Sequence, residues 1–208
     1  MEGIVIQLQK EALDENVDIE ILLRKAYLVA RKLHLKEFEE WISFEQNGYK
    51  DNVPDYRIIG GVTKAWNPYY GWIPIVFDGK IQDTFNKCSV GLPIAAICEA
   101  YKNSKGSIRG NAPSAWTEYL NKYNSAFMTN YIFESSKSEL HKILSAVRNR
   151  ILDWSLLLEE NGIIGEDLTF TETEIKTACK SSVINNFTNN FYSTSDNIEI
   201  QQGGNIND

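Results

Sequence analysis

The densest run of residues able to do chemistry lies between Asp51 and Pro74. Asp51-Asn52-Val53-Pro54-Asp55-Tyr56-Arg57 is followed, after a β-rich stretch, by Trp66-Asn67-Pro68-Tyr69-Tyr70-Gly71-Trp72-Ile73-Pro74. Four aromatics, Trp66, Tyr69, Tyr70 and Trp72, fall within seven residues. Flat apolar rings beside Asn, Asp and Arg suit a ligand or peptide site, where rings bind and a few polar groups orient. The same rings could stack on unpaired bases, or cap a core with their polar ends in water. A second run, Arg148-Asn149-Arg150-Ile151-Leu152-Asp153-Trp154, sets Arg150 and Asp153 three residues apart, close enough to pair on a helix. His141 stands two turns before Arg148 on the same side.

Other chemistries find less support. The Arg-then-His ribonuclease motif of some bacterial toxins is not met, because here His comes first and six residues intervene. Asp51, Asp55 and Asp78 lie near the β-rich stretch with Lys64 and Lys80, yet without the D-x(n)-E-x-K string of metal-dependent nucleases. The three cysteines, Cys88, Cys98 and Cys179, are widely spaced and form no CxxC pair, so they read as buried free thiols. His34 and His141 are the only histidines, too few for a His-rich zinc site. No Walker, dinucleotide or nucleophile-elbow glycine pattern occurs. No metal or cofactor is therefore expected. With 21 basic against 28 acidic residues, the net charge of −7 speaks against a general nucleic-acid coat. No apolar run is long enough to cross a bilayer, and MEGIVIQLQKEALDENV does not read as a signal peptide. A cytoplasmic protein with no membrane contact is expected.

The elements that would position these residues are legible in the hydrophobic spacing. Residues 3–14 form a short amphipathic stretch. Asp18 stands as an N-cap before Ile19, Leu22, Leu23, Ala26, Ala30 and Leu33 at helical spacing. Leu35 to Gln46 continues as a helix closed by Asn47-Gly48. The basic side of the second helix and the acidic side of the third read as solvated surfaces that pair. From Tyr49 the period changes: Tyr56–Ile59 and Trp72–Phe77 are β-rich, Gly60-Gly61 suggests a bulge or bend, and residues 66–72 make a turn. Short helices are expected near Ile94–Tyr101 and Ser114–Tyr123, and a strand over Ala126–Glu134. Ser136-Lys137-Ser138-Glu139 fits a capping box opening a long helix that carries Leu140, Leu144, Val147, Ile151, Trp154 and Leu158 on one face. A second box, Thr171–Glu174, opens a last helix through Lys180. Residues 185–208 hold seven Asn, three acids and no Lys or Arg, with Ile198-Glu199-Ile200 alternating like an edge strand. The fold class is thus α+β: a helical N-terminal part, a small antiparallel β segment around residues 55–78, a long helix around 137–160 and a strand-like tail. One domain of residues 1–184 would be followed by an Asn-rich tail, 185–208, acting as linker or pairing strand.

Three strings carry a family resemblance: GYKDNVPDYRIIGGVTKAWNPYYGWIPIVF from Gly48 to Phe77, Leu22–Ala26 with Phe38–Ile42, and Val147–Trp154 with Leu157–Ile163. Together they resemble the AbiTii domain over roughly residues 3–180. The resemblance implies a bacterial abortive-infection or anti-phage setting and a toxin-type domain. It brings no established reaction and no catalytic residues. Related chains often carry His where Tyr70 stands, so a His-dependent role at that loop does not transfer. They also often run on through a segment like Ile200-Gln201-Gln202-Gly203, which makes the tail a junction.

Two functions follow as expectations. One is a phage-defence interaction or self-assembly module, binding a protein partner or second copy, partly through residues 187–202. The other is a toxin enzyme, most plausibly a nuclease, and only then would nucleic acid be a partner. Asp51, Asp55, Arg57, Arg148 and Arg150 would hold phosphates, hold a metal or move protons. The candidate binding set is Asp55, Arg57, Trp66, Asn67, Tyr69, Tyr70, Trp72, Arg148 and Arg150. Whether Asp55, Arg57, Asn67 and Arg150 line one cleft decides between the two.

Overall fold

A computed structural model describes residues 2–77, 79–124 and 128–180. Helices α1 (Ile4–Leu13), α2 (Ile19–Lys32) and α3 (Lys36–Asn47) come first, and a 3-10 turn, Asp55–Arg57, leads into β1 (Ile58–Asn67) and β2 (Gly71–Pro74). Then follow α4 (Lys80–Phe85), β3 (Lys87–Ser89), α5 (Ile94–Asn103), β4 (Ser107–Asn111) and α6 (Ser114–Tyr123). The described chain ends with β5 (Tyr131–Ser136), α7 (Lys137–Glu160) and α8 (Glu172–Ala178). The α+β class holds: eight helices accompany one antiparallel sheet of five strands among the described residues. The expected C-terminal strand falls outside the described residues.

The helical core forms because each N-terminal helix offers one apolar stripe. Leu22, Leu23, Ala26, Val29 and Ala30 of α2 are buried, as are Phe38, Trp41 and Ile42 of α3. The α7 stripe from Leu140 to Leu158 meets them, with Trp154 stacked on Phe38 at 3.8 Å between ring centroids. Each buried Leu or Ile removes enough apolar surface to contribute ~1.5–3 kcal/mol. Asp18 caps α2 by accepting from Glu20 N at 2.8 Å. At the far end of α3, Gly48 has φ +91°, and a Cβ there would meet the Gly91 carbonyl at 2.6 Å. Only glycine fits. The expected pairing of the basic side of α2 with the acidic side of α3 is made by Arg31 and Glu39 at 2.9 Å, whereas Arg24 bonds Glu20 within α2 at 3.3 Å, Lys25 bonds Glu11 of α1, and Glu45 turns inward.

The sheet is built around β1. One edge of β1 pairs with β5 over Gly61–Ala65, and the other pairs first with β3 and then with β2. β4 completes the far side against β5. Inward residues Ile59 and Phe133 join the helical core. Under the hairpin end, Phe85, Ala112, Leu120 and Tyr131 form a second, smaller core with Ala65, Ile75, Phe77 and Trp116.

Several local expectations are corrected. Rather than a bulge, Gly60-Gly61 lies within β1, and Gly61 is needed because a Cβ would meet the Glu134 carbonyl and the Phe133 ring at 2.5 Å each. The strand expected from Ala126 starts at Tyr131: the Asn121 side chain already bonds the Thr129 N–H at 2.9 Å and its carbonyl at 3.1 Å. Residues 126 and 127 lie outside the described residues. The first box is only half formed. Ser136 accepts from Ser138 N at 3.2 Å, but Glu139 accepts from Gly60 N at 3.0 Å, because Ser136 also ends β5 and is held by the sheet. The Thr171–Glu174 box is complete. The sequence also offered no signal for β3 and β4.

Candidate functional site

The candidate residues separate into three places. The first is a buried polar knot. Arg57, fully buried, donates from Nε to Glu45 Oε1 at 3.0 Å and from Nη2 to Oε2 at 2.5 Å. Its Nη1 donates to the Val90 and Leu92 carbonyls at 3.0 and 2.7 Å. Tyr49 and Tyr56 donate their hydroxyls to Glu45 Oε1 at 2.8 and 2.5 Å, and Trp41 Nε1 donates to the Tyr56 hydroxyl at 2.9 Å. Burial pushes both tyrosine hydroxyls up, and the Glu45 charge pushes them further, so they stay protonated donors. Burial works against the Arg57 charge, but bonding to Glu45 outweighs it and raises the pKa. The Arg150 guanidinium lies 3.8 Å over the Tyr56 ring. Asp55 is exposed at the start of the 3-10 turn. Arg57, expected to hold a phosphate, is instead spent on holding α3 to the loop around Val90 between β3 and α5.

Arg148 occupies the second place. Its guanidinium donates to the carbonyls of Glu11 at 3.4 Å, Asp14 at 3.2 Å and Val17, so it ties off the end of α1. As the helical spacing implied, His141 and Arg148 share one side: both line a cavity of about 200 Å³ with Asp18, Cys98, Lys102 and Ser145. His141 stacks on Tyr101 at 5.5 Å, and Ser145 Oγ lies 3.5 Å from its Nε2.

The aromatic residues hold the third place, the β1–β2 hairpin. Eight strand residues, 58–65, separate Trp66 from Arg57 of the knot, roughly 30 Å of extended chain at ~3.3 Å per residue. Trp66 and Trp72 face each other across the strands as an edge-to-face pair, 5.2 Å between centroids. Asn67 Oδ1 accepts from the N–H groups of Tyr69 and Tyr70 at 2.9 and 3.2 Å, and Gly71 takes φ +74°, closing the turn. Nothing holds the rings inward: Tyr69 is 90% exposed and Tyr70 81%. Two residues back from the tip, a groove of about 350 Å³ opens between the hairpin and α6. Val76, Phe77, Ile81, Tyr119 and Tyr123 line it, and the sequence reading missed them. The i,i+4 aromatic pair Tyr119 and Tyr123, stacked at 6.3 Å, was the available signal.

Asp55, Arg57, Asn67 and Arg150 therefore do not line one cleft. Lys64 bonds Glu134 at 2.9 Å on the sheet, away from Asp51 and Asp55, and Asp78 lies outside the described residues. Among the described residues, no three His, Cys, Asp or Glu side chains gather as a metal-holding group, and no helix is long and apolar enough to cross a membrane. Cys88, Cys98 and Cys179 are free thiols but not the buried ones expected: Cys88 and Cys98 are half-buried, the Cys88 thiol pushed up by burial, and Cys179 is exposed.

Searches of curated proteins and of solved structures returned no match. The family model named AbiTii matches residues 3–182, a span that takes in all three of these places, and its name associates the chain with abortive infection. The chain belongs to the AbiTii family.

Proposed function

We propose that the chain serves phage defence in the cytoplasm as an interaction module, gripping a protein partner or a second copy through the hairpin and the groove beside it. The observation that carries this reading is the contrast in exposure. Tyr69, Tyr70, Val76 and Tyr123 stand in solvent around an apolar groove, while Arg57 and Arg148 are consumed by internal bonds. Exposed aromatic clusters of this kind mark interaction surfaces. The tail, residues 187–202, is proposed as a second contact. Light scattering on residues 1–208, on 1–184 and on a Tyr69→Ser/Tyr70→Ser variant tests it, together with affinity capture from phage-infected cells. Assembly or capture lost with the tyrosines is the expected result. A monomer in every case with nothing captured rejects the module.

The cavity holding His141, Ser145, Lys102 and Arg148 favours a second reading, a toxin enzyme acting on host nucleic acid. An imidazole beside a hydroxyl can move protons, and the Lys102 ammonium at the same cavity can attract phosphate. Growth arrest and RNA cleavage on expression, both lost in His141→Gln, are its expected signs. Unimpaired growth and intact RNA reject it.

A further inference from the structure

The outward face of the sheet is set by register. Opposite the inward residues Ile59, Thr63, Phe133 and Cys88, the alternation turns Val62, Lys64 and Trp66 of β1 outward, with Trp72 of β2, Lys87 of β3, Glu134 of β5 and Arg109 of β4. None of these outward residues belongs to either core cluster. Trp66 is 43% exposed and Val62 40%. The charges on this face run against the rest of the molecule. Lys64, Lys87 and Arg109 outnumber Glu134, the one carboxylate borne by these strand positions, in a chain whose net charge is −7, while the Glu139 carboxylate of α7 reaches the Gly60 end of the face and is bonded by Lys142. Glu134 accepts from Lys64 at 2.9 Å and from Arg109 Nε at 2.5 Å, which fixes both cations over the strands. Those bonds, that from Lys64 foremost, hold Glu134 below the usual carboxylate range, so it stays ionised, and two cations around one anion leave the trio a single net positive charge.

We infer that this face binds single-stranded nucleic acid, bases against Trp66 and Trp72 and phosphates toward Arg109, Lys64 and Lys87. The Arg109–Glu134–Val62 row, the Lys64 row and the Trp66–Trp72 row follow one another every two residues. That spacing is ~7 Å, comparable to one nucleotide of an extended strand. Accessible rings select unpaired bases, because a duplex hides its base faces. An acidic protein segment would meet the cations but would leave the rings without stacking partners. This site lies on the opposite side of the sheet from the small core beneath the groove, and it goes beyond the interaction reading.

The test is fluorescence anisotropy of labelled 12-mer oligo-dT and oligo-U on the full chain, at 50 and 200 mM salt, with a duplex as competitor. Binding of the single strands, weakened by salt and not displaced by duplex, is expected; which oligomer binds tighter assigns DNA or RNA. Trp66→Ala should weaken binding at least fivefold, the lower end for one lost base stack, and Trp66→Phe should restore most of it. Lys87→Ala/Arg109→Ala should flatten the salt slope by about 1.4, at ~0.7 per cation, without altering the circular dichroism spectrum. No binding at 50 mM salt, equal binding of duplex, or affinity unmoved by these variants overturns the inference. Protein capture that survives in the same variants, with no oligonucleotide binding, overturns this inference alone and leaves the interaction module standing.

Discussion

The knot around Glu45 and the hairpin around Tyr69 draw on the same residue types, yet they have opposite fates. The knot sets two tyrosines and one tryptophan beside polar side chains, the hairpin two tyrosines and two tryptophans. In the knot both phenols and the Arg57 guanidinium find protein acceptors, and Glu45 is the acceptor that the three share. In the hairpin, Asn67 is spent on the turn, and the Tyr69 and Tyr70 rings are left to water. What separates a structural aromatic cluster from a binding one is therefore the presence of an internal counter-group, not its composition. A buried charge without its partner costs several kcal/mol, whereas an exposed ring costs little and remains available.

The sharpest way to break this comparison is to take the counter-group away. Glu45→Gln leaves the Arg57 charge buried beside a neutral amide and should destabilise by ~3–5 kcal/mol, the usual cost of orphaning one member of a buried pair. For a chain of this size that lowers Tm by about 10 °C. Arg57→Met should cost a similar amount. The Glu45→Gln/Arg57→Met variant should lose less than the sum of the two singles, because each change removes the reason for the other. It should not regain wild-type stability, because Tyr49 and Tyr56 still need the carboxylate as acceptor. A urea double-mutant cycle measures this. Additive losses would mean that the knot is not a single unit.

Next in size is the sheet beneath the hairpin. Gly61→Ala pushes a methyl group against the Glu134 carbonyl and the Phe133 ring, and overpacking of this kind costs ~1–3 kcal/mol. The loss should appear in thermal denaturation. A Tm within a degree of wild type would show that β1 and β5 can part without cost.

A third test sits between the extremes, on a half-buried carboxylate. Burial alone would raise the Glu174 pKa, but its bonds from the Thr171, Ile164 and Gly165 N–H groups outweigh burial and lower it. A carboxylate depressed in the folded state stabilises above its ordinary range, and that contribution is lost as pH falls through the depressed value. Glu174→Gln should cost ~1–2 kcal/mol at pH 7, the scale of a helix cap and its charged bonds. The gap from wild type should close as the pH is taken below 4. A gap independent of pH would mean that the charge contributes nothing.

Much of this was readable before any coordinates. Asp18, Gly48 and Thr171 mark helix ends because their side chains, or the lack of one, solve a local hydrogen-bonding problem. The apolar stripe of α7 was legible for the same local reason. Asn67 and Gly71 marked the turn. Glu45 was not legible, since on α3 it reads as one more acid on a solvated side; only the return of the chain at Arg57, twelve residues later, makes it a partner. The strands β3 and β4 were missed because three and five residues carry too little periodicity, and their pairing is long-range. The Ser136 box was over-read for a related reason. Glu139 has a choice of amides in three dimensions, and the sheet edge at Gly60 won.

The smallest expected effect on stability is the most informative about function. Tyr69→Ser/Tyr70→Ser removes two rings that are 90% and 81% exposed. The turn does not depend on them, because Asn67 accepts from their backbone N–H groups, which serine retains. Stability should therefore change by no more than about 0.5 kcal/mol, the usual range for surface positions, while assembly or partner capture should disappear. Asn67→Ala is the mirror case. It leaves both rings in place but releases the turn, so it should cost ~0.5–2 kcal/mol, by analogy with a lost cap, and weaken capture only to the extent that the hairpin tip loses its shape. If the serine variant instead unfolds the protein while capture per folded molecule is unchanged, the rings are structural. The hairpin would then join the knot as a second cluster whose partners lie inside the chain.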